Sequence, residues 1–238
     1  METWNGFRKE EFDFEGRRGI LVFLDDEIKT NKWLFKTEYF GAFQDFEIEM
    51  VKKGWHLAYV ENKTRWCLDE DLDLKKRFAD YIIKEYGLYS KCVPVGMSCG
   101  GMIGVKFAAR YPEYVSALYL DAPVMNLLSC PAGLGVGGNE LYDEFVAATG
   151  MTMSELICYR EHPIDVLPIL AENKIPVIMI YGDSDTVVPY CENGAILEKY
   201  YIEKGLEIIA IEKEGCGHHP HGLDDSAPII DFVTEHCM

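Results

Sequence analysis

Apolar positions along this chain switch repeatedly between two periods, and that switching predicts the fold class. Residues 18–24 (Arg-Gly-Ile-Leu-Val-Phe-Leu) form a short apolar run after a glycine, read as a buried strand. Phe12 and Phe14 alternate with charged residues just upstream, so residues 11–15 are its expected antiparallel partner. Residues 54–60 read as the next strand, and residues 38–53 between them carry Phe43, Phe46 and Met50 at helical spacing. Residues 72–86 predict an amphipathic helix with Gly87 at its C-terminal cap. A short strand at 92–95, a helix at 100–111 and a strand at 115–120 follow. Residues 175–181 are the most apolar strand, and a helix at 189–204, a strand at 206–211 and a helix at 228–235 close the chain. Strands and helices taking turns predict an α/β fold, a mostly parallel, doubly wound sheet with helices on both faces.

One stretch breaks the rhythm. Residues 122–170 hold no convincing strand, begin Gly-rich, and carry helical patterns near 139–149 and 152–160. We read them as a cap or lid inserted after the sixth strand of a single domain; the alternative is an ordinary crossover with a long loop.

Length and composition agree with one domain: 238 residues, 48% hydrophobic and 26% charged. The formal net charge of −17 argues against nucleic acid and anionic membranes as partners, since both demand basic patches. The chain opens without an apolar signal region, and no run approaches the roughly 18 residues of a membrane span, so a cytoplasmic protein is expected. Its eight cysteines are scattered without a C-x-x-C pair, as for reduced packing thiols.

The chemistry begins at Gly96-Met97-Ser98-Cys99-Gly100-Gly101, a G-x-S-x-G pattern that follows a strand and opens a helix. Such a turn lifts a serine hydroxyl out of the sheet, and the helix start behind it offers N–H groups to an oxyanion. Ser98 is the candidate nucleophile and the backbone N–H of Cys99 a candidate oxyanion donor. A serine needs a base, and the base an orienting carboxylate, in the chain order Ser, acid, His. The strand ending at Tyr181 runs into Gly182-Asp183-Ser184-Asp185, and the strand ending near Ile211 runs into Gly217-His218-His219-Pro220-His221. Asp183 can serve simply as a turn residue, so Asp185 is the candidate acid. Between His218 and His219, Gly217 favours His218 as base; neighbours in an extended segment point to opposite sides, so His219, with His221, is expected to line the pocket rim or bond to backbone. Three histidines in four positions also raise a metal, but without helical spacing or carboxylate ligands we assign none, and no cofactor.

These segments, with Val188-Pro189 and Leu120-Asp121-Ala122-Pro123, resemble the α/β-hydrolase superfamily over residues 18–236. More narrowly they resemble small prolyl-oligopeptidase-like and esterase-like serine hydrolases of bacteria. The resemblance implies hydrolysis of a small-molecule acyl substrate, an acylated sugar ester among the candidates. Peptide or amide cleavage by the same mechanism is the second reading; a dedicated oligopeptidase is expected to carry a further N-terminal module, for which 238 residues leave no room. A ligand receptor built on the same fold is the third. The His-Gly-Gly-Gly segment familiar in the superfamily is absent, with Leu24-Asp25-Asp26-Glu27 in its place, so a backbone N–H near Asp25 or Asp26 is the expected second oxyanion donor. Lys36, among aromatic residues, Glu192 and His219 are candidate substrate contacts, and Asp121 is an alternative acid or a turn residue.

Overall fold

The computed structural model describes residues 2–24 and 30–237. Among the described residues nine strands form one mixed sheet: β1 (Thr3–Trp4), β2 (Phe7–Phe14), β3 (Arg17–Phe23), β4 (Trp33–Lys36), β5 (His56–Val60), β6 (Val93–Met97), β7 (Leu118–Asp121), β8 (Val177–Gly182) and β9 (Ile208–Lys213). Their order across the sheet is β1-β2-β3-β5-β4-β6-β7-β8-β9. β1, β2, β3 and β5 pair antiparallel in turn, and every pairing from β5 to β9 is parallel. The expected partner of β3 is therefore real but longer. β2 and β3 are joined by Glu15-Gly16, both at positive φ (53° and 79°), as a two-residue hairpin turn requires.

β3 to β8 are mostly apolar and buried because both faces are covered, whereas β9 at the sheet edge is half-exposed. On β3, Leu21 and Phe23 face one core while Ile20 and Val22 face the other, the period-2 alternation of a strand. α1 (Asp45–Lys52) and α8 (Ala227–His236) cover one face through Phe46, Met50, Ile229 and Phe232. α2 (Asp69–Tyr86) and α3 (Cys99–Arg110) cover the other, where Leu72, Phe78, Ile103 and Phe107 are buried. Gly87 ends α2 at φ 67°, the left-handed cap its position predicted.

β4 escaped the sequence reading, which took residues 54–60 as the strand following β3. Only four residues long and ending in a lysine, Trp33-Leu34-Phe35-Lys36 lacks the apolar length that marks a buried strand, yet all four are buried between β5 and β6. The helix of 38–53 shortens to α1, and that of 189–204 becomes a short 3-10 turn followed by α7 (Gly194–Lys204).

Between β7 and β8 the chain forms α4 (Tyr142–Thr149), α5 (Met153–Cys158) and α6 (Leu167–Glu172), with no strand. Thr152 and Glu155 close a capping box on α5. α6 packs against α3 and α7, the place of an ordinary crossover helix, so the extra material lies ahead of it. Among the described residues no helix is long and apolar enough to cross a membrane.

Candidate active site

β6 runs into α3 through Ser98, which sits at φ 53°, ψ −121°, a conformation that costs a non-glycine residue on the order of 1–3 kcal/mol. Its surroundings hold it there. Ser98 N–H donates to the Asp121 carbonyl at 2.9 Å, and its own carbonyl accepts from Val124 N–H at 3.0 Å. A Cβ at Gly96 would fall on the Gly100 carbonyl, and one at Gly101 on Pro123, so the turn closes only with glycine at both positions.

The parallel strands bring three loops to the same edge of the sheet. Asp185 follows β8 and His218 follows β9. His218 Nδ1 lies 2.7 Å from Asp185 Oδ2, and His218 Nε2 lies 3.0 Å from Ser98 Oγ. Asp185 is itself fixed: its Oδ1 accepts from Val187 N–H at 2.8 Å and Val188 N–H at 2.9 Å, and its side chain is 1% exposed. An ionised carboxylate can only accept, so Nδ1 carries the proton and Nε2 is left to accept from the Ser98 hydroxyl. Asp183, by contrast, is exposed and accepts from Ser184 Oγ–H. Cys99 opens α3, whose first N–H groups have no carbonyl partner within the helix. Its thiol is buried and pushed up to about 11 by that burial, so it stays protonated.

Ser98 and His218 face a pocket of about 310 Å³. Its walls are mostly apolar, from Tyr39, Phe43, Met97, Leu141 and Val187. Tyr39 follows β4, the strand beside β6, and burial raises its phenol so that it keeps its proton. Arg65, in the loop after β5, also lines the pocket; its Nε donates to Glu144 Oε1 at 2.7 Å and its Nη2 to Oε2, tying that loop to α4. Neither Tyr39 nor Arg65 stood out in the sequence. The available signal was position: both follow strands that end at the same edge as β6.

Several candidate residues lie elsewhere. Asp26 lies outside the described residues. Moreover β3 is antiparallel to β5, with Val22 opposite Leu57, so Leu24 leaves the sheet at the edge away from Ser98. Lys36 does not reach the pocket; on β4 it points with Leu34 towards α1, 1% exposed and paired with Glu47. Glu192 ties the loop after β8 to the 122–170 segment, accepting from Ser129 Oγ–H at 2.6 Å and Val136 N–H at 2.8 Å. Beside it, buried Asn193 accepts from the N–H groups of Met125 and Asn126 and donates to the Pro189 carbonyl. His219 does line the pocket, stacked on Phe43 at 5.6 Å, and burial lowers its pKa. It does not point away from His218: the rings of His218, His219 and His221 lie 4.8–5.0 Å apart, because the segment turns instead of running extended. Asp121 neither orients His218 nor serves only a turn; it accepts from His221 Nδ1–H at 2.7 Å and Gly222 N–H at 2.6 Å.

The decisive comparison is structural. An acylaminoacyl peptidase of Pyrococcus horikoshii superposes on 97% of this chain with a TM-score of 0.71 at 16% identity. A dipeptidyl peptidase 4 of Porphyromonas gingivalis covers 97% with a TM-score of 0.70 at 13% identity. The chain has the α/β-hydrolase fold. In sequence, no family model matches it and no curated protein does. This α/β-hydrolase-fold chain spans only 42% of the first neighbour and 35% of the second. Within the fold, its line of serine, histidine and aspartate follows the sixth, ninth and eighth strands, all parallel and all opening at one edge.

Proposed function

We propose that this protein is a serine hydrolase that cleaves small carboxylic esters, acylated sugars among them, through an acyl-enzyme. The observation that carries the reading is the hydrogen-bonded line Ser98–His218–Asp185 at the wall of an apolar pocket. In this mechanism His218 Nε2 takes the hydroxyl proton as Ser98 Oγ attacks the carbonyl carbon. Asp185 keeps the imidazole in the tautomer that can do so and stabilises the imidazolium. The tetrahedral oxyanion is met by the N–H of Cys99 and by the hydroxyl of Tyr39, a donor that burial keeps protonated and that lines the same pocket as Ser98. The C–O bond then breaks, His218 returns the proton to the leaving alcohol oxygen, and water repeats the sequence on the acyl-enzyme.

A pocket of about 310 Å³ with a mostly apolar surface supports a small acyl moiety. Leu141, just ahead of α4, supports a capping role for the 122–170 segment. The proposed setting is the cytoplasm, with a small acyl substrate as partner and no cofactor, nucleic acid or membrane. A second reading, peptide or amide cleavage by the same residues, draws on the peptidases among the structural neighbours. Matched p-nitrophenyl esters and aminoacyl or dipeptidyl p-nitroanilides separate the two. We expect turnover of acetyl and other short acyl esters; anilide hydrolysis with esters left intact would move the protein to the peptidases.

A further inference from the structure

We infer that the loop after β9 forms an inhibitory zinc-class site, in which His218, His219 and His221 capture a divalent metal ion and withdraw the base from Ser98. One ring nitrogen from each of the three lies within 4.8 Å of the others. Two of the imidazoles are already dressed as metal ligands. His218 Nδ1 faces buried Asp185 and His221 Nδ1 faces buried Asp121, each at 2.7 Å. A carboxylate on Nδ1 fixes the neutral tautomer, aims the Nε2 lone pair away from the carboxylate and raises its basicity, the outer-shell arrangement metal-bound histidines use. The sequence reading discounted a metal for want of carboxylate partners; the fold supplies them from the ends of β7 and β8 in this supporting role.

The geometry also sets the cost. Nitrogens bound about 2.0–2.1 Å from a tetrahedral zinc ion lie roughly 3.4 Å apart, so the cluster must close by something over an ångström. His219, at the pocket rim, is the ring with room to move. A histidine lone pair serves one partner at a time. His218 Nε2 can accept the Ser98 hydroxyl or bind the metal, not both, so an occupied site is a silent enzyme. Three nitrogens leave a fourth position for water. The metal is thus an inhibitor and not a cofactor, and the inhibitory claim, though not the binding claim, rests on the proposed hydrolase mechanism.

Two measurements on the whole chain separate these claims. Zn²⁺ affinity is read by competition with a chromophoric chelator, and ligand type from the visible spectrum of the Co²⁺ form. We expect one site with four-coordinate d–d bands and no thiolate charge-transfer band, unchanged in Ser98→Ala. Affinity should fall by about tenfold or more in His219→Ala, and by about 10–100-fold in Asp121→Asn, which removes only the outer-shell charge. Equal affinity in wild type and His219→Ala, or thiolate ligation from the exposed Cys158 or Cys191, overturns the site. The second measurement is zinc inhibition of ester turnover, reversed by EDTA, with His219→Ala and Asp121→Asn each scored against its own zinc-free rate. Binding at the histidines without inhibition overturns the inhibitory claim and leaves the binding site standing. Absence of esterase activity even without zinc counts against the hydrolase reading alone.

Discussion

Asp183 and Asp185 differ by two positions and by everything else that matters to a histidine. Asp185 has one oxygen held by two backbone N–H groups and the other by His218, whereas Asp183 meets solvent and a serine hydroxyl. Asp185→Asn keeps the shape but presents an amide that can favour the wrong tautomer, so kcat is expected to fall by roughly 10⁴. Asp183→Asn should stay near the wild-type rate; steady-state kinetics of the two variants on one ester check the asymmetry, and a larger loss at Asp183 would relocate the acid. Tyr39→Phe isolates the proposed hydroxyl donor. Removing one oxyanion donor costs about 10²–10³ in kcat, so a change confined to KM would take Tyr39 out of the mechanism. The elbow was legible in the sequence because its glycines are forced by backbone contact. Tyr39 and Arg65 were not, since an aromatic or a cation after a strand carries no mark until the strand's direction is known.

The element least visible in the sequence, β4, sits at the centre of the sheet. Its lysine explains both the omission and the misreading: a charge at the end of an aromatic run looks like a surface or ligand-binding residue. In the fold, Lys36 and Glu47 are each 1% exposed and answer one another across β4 and α1. Removing one member of such a pair strands the other charge, at a cost of about 3–5 kcal/mol. Lys36→Met should therefore lower the midpoint of thermal unfolding steeply, at about 2–4 °C per kcal/mol for a chain of this size. Lys36→Met combined with Glu47→Leu should recover most of the loss, and the folded double variant should keep the wild-type KM. A KM effect without loss of stability would restore Lys36 as a substrate contact. The Glu192–Ser129 and Asn193 bonds belong to the same scale: they fasten the segment before α4 to the loop carrying Asp185, a link between residues more than 60 positions apart that no local pattern encodes.

At the scale of the molecule, strand direction organises the chemistry. β6, β8 and β9 are parallel, so the three loops that follow them open at one edge, and that edge was legible because each loop follows a run of apolar residues. The antiparallel turn of β3 sends Leu24 to the opposite edge, while Asp25 and Asp26, where the sequence places an oxyanion donor, lie outside the described residues. The loop after β9 was legible in content but not in shape: three histidines were evident, but their gathering around two buried aspartates depends on where β7 and β8 end. The central claim, that Ser98 is the activated nucleophile of this assembly, is tested most directly by reacting the protein with a fluorophosphonate and mapping the modified residue by mass spectrometry. The account predicts one label, on Ser98, absent from Ser98→Ala and strongly slowed in His218→Ala. Modification of another residue, or labelling that persists in folded Ser98→Ala, would contradict it.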